Sequence, residues 1–149
     1  MIVLFTDFGL QVPYTGQMKA VLYQMAPGIP AIDLFADAPV GNPKASAYLL
    51  AAYVEWFAAG TVFLSVVDPG VGGTRPPIIL EADGRWYVGP GNGLFELVER
   101  RATSKRNVVA SEKREDPNML IHPQNPLKNQ RFLVSNTVGR RRRSPADWR

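Results

Sequence analysis

Residues 61–75 read TVFLSVVDPGVGGTR. The first seven of these residues are mostly apolar and partly β-branched, which predicts a buried β-strand over 61–67. Asp68 follows at once, and the next seven residues include one proline and three glycines. Glycines let a backbone turn tightly and approach a ligand closely. This stretch therefore predicts a buried strand that ends in a tight loop headed by a carboxylate.

Strand and helix patterns alternate in the sequence before this stretch. Residues 2–5 are a short apolar run that ends at the turn residues 6–9, as expected of another buried strand. A helix is predicted next, because apolar residues recur at helical spacing until Pro27-Gly28: Met18, Val21, Leu22 and Met25. Residues 31–35 predict a further strand.

A second helix is predicted to begin at Pro43, which suits a first helical turn, and to be ended by Gly60. Its apolar side is expected to comprise Leu49, Tyr53, Trp56 and Phe57. Strand, helix, strand, helix, strand in this order implies an α/β fold with right-handed crossovers. The sheet is expected to be mainly parallel, with helices on both faces.

The later part of the chain divides into a regular and an irregular segment. Residues 78–81 and 86–88 are predicted to form a hairpin about Asp83-Gly84, followed by a helix near Gly93. After about residue 101 no period of 2 or 3.6 is sustained, and only short apolar pieces such as residues 131–134 suit strands. We expect an α/β domain over residues 1–100 and a basic, irregular tail over 101–149.

Charge separates the same two segments. Residues 1–100 hold five Lys/Arg and nine Asp/Glu, whereas residues 101–149 hold twelve and four. With no cysteine and one histidine, the chain excludes disulfides, thiolate nucleophiles and a multi-histidine metal site of its own. No apolar run approaches the roughly 20 residues that span a bilayer, and the first residues lack a secretion signal. We expect a soluble, cytoplasmic protein.

Acids follow two of the predicted strands, Asp7 after residues 2–5 and Asp68 after residues 61–67. Ligands of an open parallel sheet bind beyond the carboxyl ends of its strands. A carboxylate there can accept hydrogen bonds from a vicinal diol such as a ribose, or orient a water. The other explanation, that each acid caps a turn or a helix, is the commoner one for an isolated Asp.

The two glycine-rich loops limit the kinds of ligand site that the sequence can form. Arg75 is close enough in sequence to return toward Asp68 as an ionic partner, which would hold the carboxylate ionised. The loop between them is no dinucleotide fingerprint, because Arg75 stands where a glycine is required, and it lacks the Gly-Lys-Ser/Thr of a P-loop. Residues 89–93, GPGNG, precede a helical run and fit either a ligand-facing helix start or a plain turn.

In order and spacing, these segments resemble the successive motifs of the S-adenosylmethionine hydroxide adenosyltransferases, in the fluorinase and chlorinase superfamily. The resemblance covers about residues 1–100 and is carried by several short segments: LFTDFG at 4–9, PY at 13–14, GQMK at 16–19, VVDPGVG at 66–72 with Arg75, VGP at 88–90 and NGL at 92–94.

The resemblance implies hydrolysis of S-adenosyl-L-methionine to adenosine and L-methionine, with no metal or redox cofactor. It implies that Asp7 binds the ribose hydroxyls and that Asn92 helps to bind the substrate. Asp68 and Arg75 would position and polarise a water that attacks the ribose C5′. In halide-using relatives the position of Asp68 is not acidic, because a carboxylate would repel chloride or fluoride. Asp68 therefore favours water as the nucleophile.

The sequence also departs from the family pattern. Val12 and Gly91 stand where the family usually has acids, and Ala36 replaces a common histidine. The family's catalytic histidine lies in a motif that the single histidine here, His122, does not match. We therefore assign no catalytic role to His122.

The resemblance further implies homotrimers with active sites between subunits, and a C-terminal β-rich domain for which this chain is too short. We expect residues 101–149 not to be the family's sequence, as the result of a frameshift or a truncation. Two alternative functions follow from this: a catalytically inactive fragment, and a nucleic-acid-binding module that uses the basic run 140–143.

Overall fold

The computed structural model describes residues 1–109. Its strands and helices are, in chain order, β1 (Ile2–Thr6), α1 (Tyr14–Met25), β2 (Ala31–Phe35), α2 (Pro43–Tyr53), β3 (Val62–Val66), β4 (Pro77–Ala82), β5 (Arg85–Pro90), α3 (Glu96–Arg101) and β6 (Lys105–Val109). A short 3₁₀ turn, Val54–Trp56, continues α2. None of the described helices is long and apolar enough to cross a membrane.

The strands form one sheet in the order β2-β1-β3-β5-β4-β6. β2, β1, β3 and β5 pair in parallel, whereas β4 is antiparallel to both β5 and β6. The fold is α/β as predicted, but the sheet is mixed and the expectation of a mainly parallel sheet was wrong. β4 and β5 are antiparallel because a tight turn at Asp83 and Gly84, both with positive φ, joins them. A two-residue turn reverses the direction of the chain, whereas a parallel pair needs a long crossover.

Helices cover both faces of the sheet, as predicted, and β1 contacts both layers. All five residues of β1 are buried, and alternate side chains point to opposite faces. Val3 and Phe5 belong to the core cluster on the α2 and α3 side, and Ile2 and Leu4 to the cluster on the α1 side. The helix residues in these clusters are Leu50, Ala51, Val98, Met18 and Leu22. The two crossovers, β1 to β2 and β2 to β3, therefore lie on opposite faces.

The start of α2 agrees with the prediction, whereas its apolar side agrees only in part: Leu49 and Phe57 pack against the core, but Tyr53 and Trp56 are exposed. Asn42 caps the helix by accepting a hydrogen bond from the Ala45 N–H over 3.0 Å, and Pro43 occupies the first turn. Trp56 was expected on the apolar side but is 84% exposed. The α-helix ends at Tyr53, and the tighter 3₁₀ turn that follows changes the direction of later side chains. The core side of α2 consists of Ala47, Leu50 and Ala51, with Val54 beyond it.

Strand β6 was not predicted from the sequence. It pairs antiparallel with β4, from Ala82 opposite Lys105 to Ile78 opposite Val109. Two cations, Lys105 and Arg106, interrupt any apolar alternation in this segment. The sheet thus continues past residue 100. The rest of the expected tail, including residues 131–134, His122 and the run 140–143, lies outside the described residues.

Candidate active site

The sheet has a topological switch point between β1 and β3. The chain leaves β1 through α1 on one face and returns to β3 through α2 on the other. Such a switch point is where open α/β sheets bind ligands, beyond the carboxyl ends of the strands. Thr6 of β1 lies opposite Val66 of β3, so Asp7 and Asp68 follow neighbouring strand ends. The two predicted carboxylates therefore flank the switch point.

Asp68 is held by its own loop. Its side chain is 13% exposed, and its Oδ1 accepts hydrogen bonds from Arg75 Nη1 over 2.5 Å and from the Gly70 N–H over 3.0 Å. The Gly73 N–H donates to the Gly70 carbonyl over 3.0 Å and closes the turn. A largely buried carboxylate is costly unless it is paired and hydrogen-bonded, and these contacts supply both. The predicted ionic pair of Asp68 and Arg75 is present.

Gly70 leaves room for this pair. A Cβ added at Gly70 would lie 3.2 Å from Arg75 Nη1 and 3.5 Å from Asp68 Oδ1. The first distance is tighter than ordinary van der Waals contact, so the guanidinium would have to move by a few tenths of an ångström to accept a side chain there. The absence of a Cβ thus lets the guanidinium approach the carboxylate without adjustment.

Asp7 joins the loops that follow β1, β2 and β3. Its Oδ2 accepts a hydrogen bond from the Gly41 N–H over 2.8 Å, and its own N–H donates to the Val66 carbonyl over 3.4 Å. Gly41 has φ +59, and a Cβ added there would lie 3.8 Å from Cβ of Pro69. The loop after β2 is therefore packed between the two carboxylate loops. The part played by the Gly41 N–H was not predicted from the sequence, because the contact joins positions 34 residues apart and no local pattern encodes it.

Asn92 lies in the loop after β5 and reaches back to β3. Its Nδ2 donates to the Val67 carbonyl over 2.8 Å, and its Oδ1 accepts from the Leu94 N–H over 3.2 Å. Both contacts are partly buried. The four residues predicted for the site, Asp7, Asp68, Arg75 and Asn92, all follow carboxyl ends of β1, β3 or β5, and their chemical roles remain predictions.

Apolar side chains accompany the carboxylates in these loops. The exposed large aliphatic residues include two after β1, one after β2 and one after β3: Leu10, Val12, Val40 and Val71. Exposed apolar surface beside a functional site is commonly covered by a ligand or by another part of the protein. Within residues 1–109, no three His, Cys, Asp or Glu side chains are grouped so as to hold a metal ion.

Comparison with known proteins identifies relatives over the described residues and beyond. The chain is 46% identical over 93 residues to the (R)-S-adenosyl-L-methionine hydrolase of Thermus thermophilus, a match that covers 62% of this chain and 36% of that protein. It is 33% identical over 127 residues to the (R)-S-adenosyl-L-methionine hydrolase of Methanocaldococcus jannaschii, covering 82% and 48% respectively. The chain thus spans less than half the length of these curated relatives.

Solved structures share the fold. An uncharacterized conserved protein from Thermotoga maritima superposes with a TM-score of 0.71 and 29% identity, over 90% of this chain and 53% of that one. A conserved hypothetical protein from Thermus thermophilus gives 0.66 and 36%, over 74% and 46%. The family model described as the SAM hydroxide adenosyltransferase N-terminal domain matches residues 2–133, past the change of composition near residue 101. The chain therefore belongs to the SAM hydroxide adenosyltransferase family, in the fluorinase and chlorinase superfamily, and carries the N-terminal domain of that family.

Proposed function

We propose that this chain supplies the reacting and ribose-binding carboxylates of an enzyme that hydrolyses S-adenosyl-L-methionine to adenosine and L-methionine. The curated relatives named above carry this activity in their names. The observation that supports the proposal most is the ion pair of the largely buried Asp68 with Arg75, beside Asp7 at the switch point of the sheet.

Asp68 is suited to orient a water. Its Oδ1 is occupied by Arg75 and Gly70, while Oδ2 receives no hydrogen bond from the part of the chain that the structure describes. In the proposed step, a water held by this carboxylate attacks C5′ as the C5′–S bond breaks. The bonding electrons pass to sulfur, methionine leaves as a neutral thioether, and one proton of the water is released. A sulfonium is a good leaving group, so the site has mainly to align the water and exclude other solvent.

Asp7 is the proposed ribose-binding residue, and the family resemblance makes Asn92 a candidate for a second substrate contact. Gly41 holds one oxygen of Asp7, which leaves Oδ1 to accept a hydrogen bond from a ribose hydroxyl. The amide of Asn92 already bonds two backbone groups, which leaves its second N–H and one lone pair of Oδ1 available to a substrate. The negative charge of Asp68 favours water over a halide ion as nucleophile, since two anions repel each other in a site of low solvent content.

Further proposals rest on the family resemblance. We propose a homotrimer, a cytoplasmic location, and a reaction that needs neither a metal nor an organic cofactor. The remaining part of the active site would come from residues beyond those described here or from another subunit. The exposed aliphatic residues of the three loops suit such a covering surface.

The decisive experiment incubates the chain with S-adenosyl-L-methionine and quantifies adenosine and methionine by chromatography. We expect equal amounts of both products, and their loss in Asp68→Asn and Asp7→Asn. Asp33→Asn is the matched control. Asp33 is an exposed carboxylate on β2 that forms an ion pair with Lys19 of α1, and it does not lie at the switch point. Adding chloride tests the choice of nucleophile, and the expected product remains adenosine rather than its 5′-chloro analogue.

Failure has two distinct forms. Adenosine binding without product formation supports the alternative of a catalytically inactive fragment that retains the ribose site. Absence of both binding and product would reject the proposed function for this chain. The other alternative, nucleic-acid binding through residues 140–143, lies outside the described residues and has no structural observation in its favour. Salt-dependent binding of DNA or RNA that disappears on deletion of residues 138–149 would support it.

A further inference from the structure

The ladder between β3 and β5 ends before the two strands do. Paired residues run only from Val62 opposite Trp86 to Leu64 opposite Val88. At Gly89 the backbones are so close that an added Cβ would lie 2.4 Å from the Ser65 carbonyl oxygen. The next residue of β5, Pro90, has no N–H to donate. The carbonyls of this segment that face β5 beyond the end of the ladder therefore need donors from another source.

Asn92 supplies such a donor through its side chain. The Nδ2–H bonds the Val67 carbonyl over 2.8 Å, one residue before Asp68. The second bond, from the Leu94 N–H to Oδ1, fixes which end of the amide faces β3. The Asn92 N–H bonds the Pro90 carbonyl over 2.9 Å and holds the loop itself. The side chain thus joins the loop after β5 to Val67, the residue that follows β3, beyond the end of the ladder.

This contact determines where Asp68 lies. The Val67 carbonyl and the Cα of Asp68 belong to one planar peptide unit, so holding the carbonyl holds that plane. On the other side, the N–H of Asp7 bonds the Val66 carbonyl over 3.4 Å. Consecutive carbonyls before Asp68 are therefore bound from the β1 side and from the β5 side. The Arg75 pair then orients the carboxylate on a backbone that is already fixed.

We propose that Asn92 is a positioning residue, which acts on the reaction by fixing the peptide that carries Asp68 and not by binding substrate through its remaining N–H. This inference rests on the proposed function of Asp68. It distinguishes the two possible roles of Asn92 by kinetics: a substrate contact contributes to binding, whereas a positioning contact contributes to the alignment of the reacting water.

The test compares Asn92→Asp and Asn92→Ala with the wild-type chain in steady-state hydrolysis of S-adenosyl-L-methionine. Asn92→Asp keeps the acceptor for Leu94 but sets a carboxylate oxygen against the Val67 carbonyl. We expect kcat to fall about tenfold to a hundredfold while KM, and the Kd for adenosine measured by calorimetry, stay within about twofold. Circular dichroism verifies folding, and Asn92→Ala, which adds no charge, serves if Asn92→Asp does not fold.

Asp83→Ala is the control for a purely structural loss. It removes two hydrogen bonds at the β4–β5 turn, which lies at the other end of the strands from Asp68. We expect it to lower the free energy of unfolding and to leave kcat and KM unchanged. A raised KM with kcat preserved in the Asn92 variants would overturn the positioning role, as would an equal loss of kcat in Asp83→Ala. If the wild-type chain releases no adenosine, the proposed function itself fails. If it is active and the Asn92 variants keep full kcat, only the positioning role fails.

Discussion

Nη1 of Arg75 lies 2.5 Å from Oδ1 of Asp68, although the Arg75 side chain is 39% exposed and the Asp68 side chain only 13%. The pair spans the whole glycine-rich loop, from its first residue to its last. The carboxylate is thus withdrawn from solvent while its partner stays at the surface. A planar guanidinium with fixed donor directions suits this arrangement better than a flexible ammonium.

The first prediction concerns this pair. Arg75→Lys keeps the positive charge but loses the rigid donor geometry, so we expect adenosine release to fall by about tenfold or more. The measurement is the initial rate of adenosine formation at saturating substrate. Arg100→Lys is the control, because Arg100 makes an exposed ion pair with Glu96 within α3 and is expected to change nothing. Equal rates for Arg75→Lys and wild type would contradict a role for the guanidinium.

The second prediction concerns the closest approach of β3 and β5. A Cβ at Gly89 would lie 2.4 Å from the Ser65 carbonyl oxygen and 2.9 Å from Cζ of Phe95. Backbone at that distance cannot give way cheaply, so Gly89→Ala is expected to lower the free energy of unfolding by about 1–3 kcal/mol or to prevent folding. Urea denaturation followed by circular dichroism measures this.

Gly16→Ala is the matched control for Gly89→Ala. Gly16 lies inside α1, where an added Cβ meets no atom within 4 Å and φ is not positive. Alanine is the better helix former, so this variant is expected to raise stability by about 0.5–1 kcal/mol. If both alanine variants shift stability in the same direction, the steric explanation for Gly89 is wrong.

The third prediction concerns the hairpin turn. Asp83 has φ +46, and its Oδ1 accepts hydrogen bonds from the N–H groups of Thr103 and Ser104 over 3.0 and 2.9 Å. Asp83→Ala removes both bonds and places an alanine in a left-handed conformation, with an expected loss of about 1–3 kcal/mol. Asp83→Asn keeps an acceptor oxygen and tolerates this φ, so it should lose less in the same denaturation assay. A larger loss for asparagine than for alanine would contradict this.

The fourth prediction is a pH dependence of stability. Burial raises the pKa of the Tyr87 phenol to about 12; the positive charge of Arg85 acts against this rise, and the negative charge of Asp83 adds to it. Between pH 10 and 12 the unfolded chain loses this proton and the folded chain keeps it. The unfolded state then binds fewer protons, so stability falls as pH rises, by up to about 1.4 kcal/mol per pH unit.

Urea denaturation at pH 9, 10 and 11 measures that slope. Tyr87→Phe removes the titrating hydroxyl group but keeps the ring that stacks on Phe63, where the ring centroids are 5.0 Å apart. We expect the variant to lose stability less steeply above pH 10 than wild type. Tyr23→Phe, at an exposed tyrosine of α1, is the control for the loss of a tyrosine hydroxyl group. Identical slopes for Tyr87→Phe and wild type would refute the assignment.

The sequence predicted the elements that contain long apolar runs, and failed where pairing depends on backbone alone. β2 agrees with its predicted bounds, residues 31–35, and the others formed near their predicted positions. β6 was missed because its Lys105 and Arg106 lack apolar alternation, while its pairing with β4 uses backbone groups. The strand order was also beyond prediction, since a hairpin signal does not tell which of its strands, β4 or β5, lies beside β3.

The site residues were predicted from the direction of the strands rather than from apolar patterns. The carboxylates were found because residues after parallel strands share one edge, and the ion pair of Arg75 and Asp68 followed from their proximity in sequence. The contact of Gly41 with Asp7 joins positions far apart in the chain, and no local pattern encodes it. The contact of Asn92 with Val67 was missed for the same reason.

The enclosed position of β1 has a consequence during synthesis. Ile2 pairs with Val62, so ribosomes add about sixty residues before the β3 partner exists, which takes several seconds at roughly 5–20 residues per second. During that interval the nascent chain presents IVLFT, an apolar and β-branched segment able to pair with strands of other chains. Asp7 directly follows it, and a flanking charge opposes such aggregation. The carboxylate proposed to bind ribose in the folded protein is thus also expected to oppose aggregation of the strand before folding.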